Sequence, residues 1–541
     1  MRIHRGKRRP LIVVLALAMM LAACGGGQSD ELGTGEEAGT TEDPQEEADA
    51  EAEADAGETA GGEVAEQVSV AVANFPPSAE PWTGVGSPGQ FMWSAVFDAL
   101  TVIDDSGTPQ PALAESWEAV DDTTWHFVLR DGVEFHNGDP LTVEDVVGTF
   151  ELLLSEEGAA SYGSHVGNYS FIESVSAVDD TTVEITTSRP AVLLPASISI
   201  VYVVPIAHFE EVGAGSFATE PVGTGPYQSV TWSSDRIELE RYEDSWRDAQ
   251  VANLEFVNLN DPAARNQALQ SGQVDVILAS GADAVIELES AGFESYVARS
   301  GRVMSVAFIT NDGGPLADQT VRQALNYAVD SDAIAEALVG GLTEASAWPP
   351  EGVNGYDPAR DPYPYDPELA RQMLEEAGYG DGFDISAEVT LGAFPADREI
   401  YESVASYLGE VGVNLELIQV DFAQEWLPKY TGAGGADWSG EAFGSTWVSP
   451  PVLDAVRPLT QYRCDWSNPW FCDADLDAML DDVDGEFDAD ARNDKLGELL
   501  DYVREHAPVL WLIETVDLWV TAPDVDGWEV HSFNPTYEQL S

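Results

Sequence analysis

The stretch from Gly25 to Glu66 constrains the fold most, because it cannot contribute to a packed core. It consists mainly of Gly, Ala, Glu, Asp and Thr, with fifteen acidic residues and no basic one. Segments with so little apolar surface and so much like charge stay disordered and extended. We therefore expect residues 24–66 to form a disordered acidic tether, and a compact fold to begin near residue 67.

Residues 1–23 have the pattern of a secretory signal peptide. Basic residues precede an apolar run from Leu11 to Leu21, which is too short to span a membrane as a helix. The run ends in Leu-Ala-Ala-Cys, which resembles the bacterial lipobox and implies lipidation at Cys24. The alternative is an ordinary signal peptide followed by a stray thiol. The Arg8–Arg9 pair leaves the general and the twin-arginine export routes open.

The exported chain is strongly acidic. All 97 Asp and Glu residues lie after the signal peptide, whereas five of the 23 Lys and Arg residues lie within it. The net charge after its removal is therefore −79. Nucleic acids and anionic membrane surfaces repel such a chain, so we expect neither as a partner. A saline habitat would favour this composition; colloidal stability alone is the alternative.

Roughly 475 residues follow the tether, enough for two or three packed domains. After Cys24 the remaining cysteines are Cys464 and Cys472, in CDWSNPWFC. In an exported protein this spacing favours a disulfide that closes a small loop. A metal site is the alternative, but it needs two further ligands, and Asp465 and Asp473 are poor ligands for zinc.

The stretch DGVEFHNGDPLTVEDV, residues 131–146, holds five carboxylates and a histidine, as a metal or acid–base site would. Its residues also suit a scaffold, because Thr142 and Asp145 have the spacing of a capping box at a helix start. His136 falls in a strand–turn corner, where a packing role is commoner than metal ligation. We interpret the stretch as structural.

The segment before this stretch predicts a β-strand. Trp125, Phe127 and Leu129 alternate with other residues, and turn residues precede them. The same turn-and-strand pattern recurs in DDTTVEITTSRP at residues 179–190. Two such units predict a small antiparallel sheet.

Helix signals appear further along the chain. Asp366 and Pro367 mark a helix start, and Gly378 marks its end. In VRQALNYAVDSDAIAEALVGG, one helix is predicted through Ala328, and Asp330 or Ser331 caps a second that ends at Gly340–Gly341.

Five co-linear segments carry a family resemblance. The first is PALAESWEAVDDTTWHFVLRDGVEFHNGDPLTVEDVVGTFELL; the others are PVGTGPYQSVTW with IELERYEDSW, ARNQALQSGQVDVI, VRQALNYAVDSDAIAEALVGG and YPYDPELARQMLEEAGYGDGFD. From about Val68 to the C-terminus, the chain resembles the family 5 extracellular solute-binding proteins. These are peptide- and nickel-class receptors of ATP-driven importers.

The resemblance implies an α/β fold with two lobes, like the type II periplasmic binding proteins, and an extra subdomain on the first lobe. The hinge strands are expected near residues 302–310 and 507–515. The implied boundaries are 1–23 for the lipoprotein signal peptide, 24–66 for the tether, 67–105, 215–303 and 507–541 for lobe I, 106–214 for the extra subdomain, and 304–506 for lobe II.

The resemblance also implies a receptor without enzymatic activity or cofactor. We expect a monomer, anchored to the outer face of the cytoplasmic membrane, that binds a peptide-like solute and passes it to an ABC permease. An oligosaccharide or another solute is the alternative. A secreted metal-dependent hydrolase would need convergent histidines, but only six follow the signal peptide, without an HExxH or GxSxG motif.

The expected ligand contacts come from two segments that match family cleft segments. Peptide-binding relatives place a tryptophan and then an aspartate in the second segment, and the aspartate pairs with the ligand's α-amine. An ungapped placement puts Phe443 and Thr446 at these positions, so the aspartate is absent unless the alignment contains a gap. The aromatic residues offer flat faces to a ligand, but they could instead pack the lobe. The predicted ligand-binding residues are Asn74, Phe75, Trp82, Trp438, Phe443, Thr446 and Trp447.

Overall fold

The computed structural model describes residues 65–541 except 84–86, 105, 167–168, 280, 347, 392–393, 395, 433–434 and 532–533. The predicted signal peptide, Cys24 and the tether up to residue 64 lie outside the described residues. Of the helices within the described part, none is long and apolar enough to cross a bilayer.

Strands and helices alternate along much of the chain. The strands are β1 (Gln67–Val72), β2 (Thr101–Ile103), β3 (Pro109–Pro111), β4 (Ala114–Asp121), β5 (Thr124–Leu129), β6 (Ile172–Ala177), β7 (Thr182–Thr187), β8 (Tyr227–Trp232), β9 (Arg236–Arg241), β10 (Asn253–Asn258), β11 (Val276–Leu278), β12 (Glu294–Phe308), β13 (Phe383–Val389), β14 (Val413–Gln419), β15 (Ala442–Val448), β16 (Val509–Thr521), β17 (Val530–His531) and β18 (Asn534–Pro535). The helices are α1 (Ser87–Val96), α2 (Val143–Leu154), α3 (Glu156–Val166), α4 (Leu194–Ser197), α5 (Ile206–Val212), α6 (Ala214–Phe217), α7 (Pro262–Gln270), α8 (Ala282–Ala291), α9 (Gln319–Tyr327), α10 (Ser331–Val339), α11 (Pro367–Glu376), α12 (Asp397–Glu410), α13 (Leu427–Thr431), α14 (Val456–Leu459), α15 (Ala474–Asp484) and α16 (Ala489–His506).

A ten-stranded mixed sheet runs through the molecule in the order β14-β13-β15-β12-β16-β11-β1-β10-β9-β8. Its two central strands, β12 and β16, are antiparallel and have 15 and 13 residues. β12 pairs with β15 from Arg302 to Phe308, whereas β16 pairs with β11 from Trp519 to Thr521. The long strands therefore join a three-stranded group to a five-stranded group, which confirms the expected two-lobed α/β fold.

The inner strands of the large sheet are buried on both faces. In β1, Val70 and Ala71 belong to two different apolar cores, and in β12 the same holds for Val306 and Ala307. Successive side chains of a strand point to opposite faces, so helices and loops cover each side of the sheet. These cores fix the strand ends that position the site below.

The predicted small antiparallel sheet is confirmed. Four strands pair in the order β4-β5-β7-β6, and Trp125, Phe127 and Leu129 are buried on one face of β5. The turns before β5 and β7 have the same construction. The carboxylates of Asp121 and Asp179 each accept a hydrogen bond of 2.9 Å from the backbone amide two residues later in the chain.

The acidic stretch at residues 131–146 is structural, as predicted. The Asp145 carboxylate accepts hydrogen bonds from the Thr142 amide at 3.0 Å and hydroxyl at 2.7 Å, at the start of α2. His136 accepts from the Gly223 amide through Nδ1 and donates to the Gly225 carbonyl through Nε2. Burial lowers the pKa of His136 to about 4, so its ring is neutral and serves packing.

The predicted helix boundaries also agree with the structure. Asp366 accepts from the Leu369 amide at 2.9 Å at the start of α11. Asp330, the first of the two alternatives, caps α10 by accepting from the Ala333 amide at 2.9 Å, and Gly340 ends that helix with φ of +65°.

Candidate functional site

The candidate site lies where the carboxyl ends of the two strand groups face each other. β1 is parallel to β10 and β11, and β13 is parallel to β14 and β15. β11 ends at Leu278, opposite Trp519 of β16, and β15 ends at Val448, opposite Arg302 of β12. Ligands of open α/β sheets bind beyond such carboxyl ends. The middle of the β12–β16 pair therefore forms the floor of a candidate cleft.

The floor contains a break in strand pairing. Arg299 pairs with Val516, but the next pair is Arg302 with Thr515, so Ser300 and Gly301 bulge out of β12. Bulges bend a strand and interrupt its ladder. This break lies beside residues 302–310, where one hinge strand was expected.

Glycine is required at this bulge. Gly301 has φ of +60°, and a Cβ there would lie 2.7 Å from Ser449 Oγ and 3.0 Å from a Leu453 methyl carbon. The Ser449 hydroxyl donates to the Gly301 carbonyl at 2.7 Å, while the Ser300 hydroxyl donates to the Thr515 carbonyl at 2.5 Å. The bulge is thereby tied both to the loop after β15 and to β16.

One ion cluster on the floor is centred on Arg299. Its guanidinium lies 2.5 Å from the Glu514 carboxylate and 2.9 Å from the Glu351 carboxylate. Glu514 is 3 % exposed. Burial raises its pKa to about 7; Arg299 opposes this shift, and Glu351 and Glu344 add to it. Glu514 is therefore a titratable group at neutral pH.

A second ion cluster brings two arginines together. Arg302 stands opposite Val448 on β15, and Arg457 donates from Nη1 to the carbonyl of the same Val448 at 2.7 Å. Burial lowers the pKa of Arg457 to about 10, and the charge of Arg302 lowers it further, whereas Tyr430 acts in the opposite direction. Burial also lowers the pKa of Arg302, and the negative charge of Asp517 on β16 acts against this decrease.

Four aromatic rings form a stacked ladder that begins just after the carboxyl end of β14. The rings of Phe422, Trp426 and Tyr430 stack in sequence, with centroids 5.5 and 4.6 Å apart. Tyr430 in turn stacks on Trp470 at 5.3 Å. Phe422 is exposed and Trp470 is buried, so the ladder runs from solvent into the core. Its outermost ring, Phe422, offers a flat apolar face to solvent.

The predicted first-lobe contacts differ in exposure. Asn74 is exposed and has φ of +59°, and its backbone N–H donates to Asn260 Oδ1 at 3.0 Å. Phe75 is half-buried against the first-lobe core. Trp82 is fully buried, and its indole donates to the Tyr202 carbonyl at 3.1 Å. A ligand can reach Asn74 and Phe75 in this structure, whereas the Trp82 ring is covered by protein.

The predicted second-lobe contacts form two separate groups. Trp438 is half-buried and stacks on the buried Phe443, with centroids 3.9 Å apart. Trp447 is 1 % exposed, and its indole donates to the Tyr462 hydroxyl at 2.9 Å. Thr446 is half-buried on β15. In this structure Phe443 and Trp447 serve core packing; ligand contact by these residues stays a prediction.

The sequence motifs did not identify the charged residues of the floor. Arg302 and Glu514 lie in the segments expected to form hinge strands, but those segments were interpreted only as apolar. An available signal was the presence of charged residues within otherwise apolar β-strands, where an ion needs a partner.

The described residues contain no cluster of three or more His, Cys, Asp or Glu side chains suited to a metal. Cys464 and Cys472 are joined by a disulfide, with an S–S distance of 2.08 Å.

Known proteins share this sequence and this architecture. Residues 108–455 match the family model of the bacterial extracellular solute-binding proteins, family 5 Middle. Heme-binding protein A of Haemophilus influenzae is 27 % identical over 449 residues, which cover 77 % of this chain and 81 % of that protein. The glutathione-binding protein GsiB of Pectobacterium atrosepticum is 25 % identical over 442 residues, covering 78 % and 84 %.

A solved structure supports the same fold. The periplasmic binding protein DppA of Helicobacter pylori, in complex with the peptide STSA, superimposes with a TM-score of 0.73. The alignment covers 88 % of this chain and 98 % of that chain at 19 % identity. Because the family model matches more than half of the chain, the protein belongs to the family 5 bacterial extracellular solute-binding proteins, which are transport receptors and not enzymes.

Proposed function

We propose that this solute-binding protein is the lipid-anchored receptor of an ABC importer, and that it encloses a peptide-like solute between its lobes for delivery to a membrane permease. The observation that carries the proposal is the β12–β16 pair, which joins the two strand groups and is broken at Ser300–Gly301. A broken ladder between two rigid groups allows one lobe to rotate on the other.

Ligand binding supplies the free energy for closure. A ligand moves an open–closed equilibrium from 1:99 to 99:1 when it binds the closed state about 5.5 kcal/mol more tightly. A cleft that contacts the ligand from both lobes meets this requirement through apolar burial and charge pairing. Four of the predicted contacts retain exposed surface: Asn74 and Phe75 on one side, and Trp438 and Thr446 on the other.

The anchor and the domain boundaries belong to the same proposal. Cys24 carries the lipid at the outer face of the cytoplasmic membrane, and the 24–66 tether holds the receptor away from that surface. The chain then forms lobe I from 67–105, 215–303 and 507–541, the extra subdomain from 106–214, and lobe II from 304–506. The receptor acts as a monomer and uses no cofactor.

Two observations support a peptide-like substrate. The floor presents guanidinium and carboxylate groups, such as Arg302 and Asp517, which suit the charged ends of a peptide. The H. pylori DppA structure holds a peptide, and the P. atrosepticum relative is named for glutathione. An oligosaccharide or another solute is the alternative within the same receptor role.

Mass spectrometry of small molecules released on denaturation tests the proposal. The signal-free chain is purified in high salt without added ligand, then denatured and filtered. A series of peptides is the expected result. A released sugar or chelate would refute the peptide assignment and keep the receptor role. An empty filtrate leads to melting-temperature shifts with a solute panel, in which a bound ligand raises the midpoint; failure of every solute to shift it would refute the receptor role.

A further inference from the structure

The four-stranded sheet β4-β5-β7-β6 and the turn between α15 and α16 belong to different bodies of the protein. The small sheet shares an apolar core with the first strand group, because Phe127 of β5 and Val70 of β1 are buried in the same cluster. The turn belongs to the second strand group, because Leu480 of α15 and Leu496 of α16 are buried in one cluster with Phe443 of β15. A contact between the small sheet and this turn therefore joins two bodies that closure moves relative to each other.

An ion pair forms the first such contact. Arg189, just after β7, places Nη1 3.2 Å from the carboxylate of Asp484, the last residue of α15. On its own side, the guanidinium lies over the ring of Phe171, with Cζ 5.6 Å from the ring centroid. Asp484 also lies 3.6 Å from Arg463 of its own body, so Arg189 makes the shorter of its two ion-pair contacts.

Apolar packing lies beside the ion pair. Phe487, in the turn between α15 and α16, packs against the core of the first body, with its ring centroid 6.0 Å from that of Trp125. In the opposite direction, Ala196 of α4 is buried in the cluster of the second body, and Leu193 packs against that cluster. Each body thus buries apolar side chains against the other.

We propose that Arg189, Asp484 and Phe487 form a latch that closes when the lobes close, so that the small sheet raises solute affinity without touching the solute. This inference rests on the proposed receptor function. Rotation of the lobes about β12–β16 separates the two bodies and breaks the contacts of the latch. The free energy of these contacts therefore stabilises only the closed state and shifts the open–closed equilibrium towards it. The three side chains are positioning residues, because they act on the solute through lobe closure.

The expected effects on affinity are moderate. The apparent affinity for a solute scales with the populated fraction of the binding-competent state. Arg189 has a side chain that is 46 % exposed, so loss of its ion pair should weaken solute binding by about 2- to 5-fold. Phe487 is half-buried, so its truncation removes about half of the burial free energy of a phenylalanine ring, which corresponds to roughly 3- to 12-fold.

A disulfide placed across the latch measures its closure without any solute. A Cβ at Gly485 would lie 4.0 Å from the Pro190 Cβ, within the range of about 3.5–4.5 Å that disulfides adopt. In the signal-free chain that lacks Cys24, Pro190→Cys/Gly485→Cys should cross-link in glutathione redox buffers. The cross-linked fraction gives the effective concentration of the two thiols. Peptide mapping by mass spectrometry identifies the new bond and verifies that Cys464 and Cys472 remain paired.

A matched pair of cysteines controls for chance cross-linking. Pro190→Cys/Gly409→Cys keeps the first thiol and moves the second to an exposed position on α12 with open space around it. Leu408 of the same helix is buried in the cluster on the other face of the second strand group from α15 and α16. This control should form no bond within the chain.

Variants of the latch residues test its contacts. In the Pro190→Cys/Gly485→Cys chain, Arg189→Gln and Phe487→Ala should lower the effective concentration by up to the factors given above for affinity. Tyr365→Ala also removes a ring from the second body, but that ring packs on Tyr407 of α12, so the effective concentration should stay unchanged. Circular dichroism verifies that each variant is folded.

The order of cross-linking and loading connects the latch to solute exchange. The probe is a mixed-sequence pool of tri- and tetrapeptides, and mass spectrometry measures the peptides that remain bound after gel filtration. Protein that is oxidised before loading should lose binding, because its lobes cannot open. Protein that is oxidised after loading should keep its peptides, and reduction should release them.

Three outcomes would overturn the inference. Free thiols at both positions of the folded Pro190→Cys/Gly485→Cys chain would show that the contact is not populated. An unchanged effective concentration in Arg189→Gln and Phe487→Ala would show that these side chains do not hold the bodies together. Equal peptide retention in both orders of treatment would show that the contact persists during exchange. If the reduced protein retains no peptide, the peptide assignment of the proposed function fails, whereas the cross-linking results still decide whether the latch exists.

Discussion

Replacing Trp447 with alanine should strongly destabilise the protein. The indole is 1 % exposed and packs against Trp348, Tyr462 and Trp511, with ring centroids 5.3, 4.9 and 4.4 Å away. It also donates a hydrogen bond to the Tyr462 hydroxyl. The substitution therefore leaves a cavity among three aromatic rings, and it removes one partner of a buried hydroxyl.

The expected loss follows from these contacts. Truncation of a buried tryptophan to alanine costs about 3–5 kcal/mol in the free energy of unfolding. For a cooperative unit of about 150–250 residues, the size of the proposed lobe II (304–506), each kcal/mol lowers the melting temperature by roughly 2–4 °C, so we expect a decrease of about 6–20 °C in the unfolding of that lobe. Differential scanning calorimetry of the ligand-free protein in high salt measures this decrease. Tyr356→Ala, at a position 43 % exposed, is the matched control and should change the midpoint little.

The same variant separates packing from ligand contact. A melting temperature within about 2 °C of the unmodified protein would refute the reasoning, because a ring enclosed on all sides cannot be removed at so small a cost. If stability falls and affinity measured well below the midpoint stays unchanged, Trp447 is a packing residue. A loss of affinity in the still-folded variant would show that the ring also contacts the solute.

Three further predictions concern the hinge and the disulfide. Because the pKa of Glu514 is about 7 when folded and 4.5 ordinarily, the folded state binds its proton more tightly, so the free energy of unfolding should fall as pH rises from about 4.5 to about 7. Glu514→Gln should remove up to ~3 kcal/mol of that fall in urea titrations at several pH values, and identical profiles would contradict the assignment. Gly301→Ala should lower the free energy of unfolding by at least about 1–2 kcal/mol because of the left-handed backbone, and further because of the clash with Ser449. Gly132 also has a positive φ but open space around it, so Gly132→Ala should show the backbone cost alone. Equal losses of stability in the two variants would reject the clash. In a chain that lacks Cys24, thiol labelling of the unfolded, unreduced protein should modify neither Cys464 nor Cys472, and labelling of both would exclude the bond.

Local features of the fold were predictable from sequence because their causes lie within a few residues. The cap formed by Asp366 on α11 depends on atoms three residues apart, and so does the contact between Thr142 and Asp145. The two turns at Asp121 and Asp179 likewise use side chains that bond to nearby amides. Such interactions need no knowledge of the rest of the chain, so pattern and spacing were sufficient.

The candidate site was less predictable because its parts come from distant segments. Arg302 and Arg457 are 155 positions apart in the sequence and meet only because β15 pairs with β12. The aromatic residues presented a second difficulty. The sequence of the matched cleft segment fits both a ring that faces a solute and a ring that faces the core. Trp447 faces the core because Trp348 and Trp511, about 100 and 64 positions away, cover it.

The position of β16 in the central sheet also sets an order on synthesis and folding. This strand lies between β12 and β11, yet it is made more than 200 residues after both. Until residues 509–521 leave the ribosome, β11 and β12 each lack a neighbour, and the first group of strands has an open edge. Contacts of such long sequence separation form slowly. A chain that cannot complete its first lobe during synthesis stays unfolded longer, a state in which an exporter that accepts only extended chains can transport it.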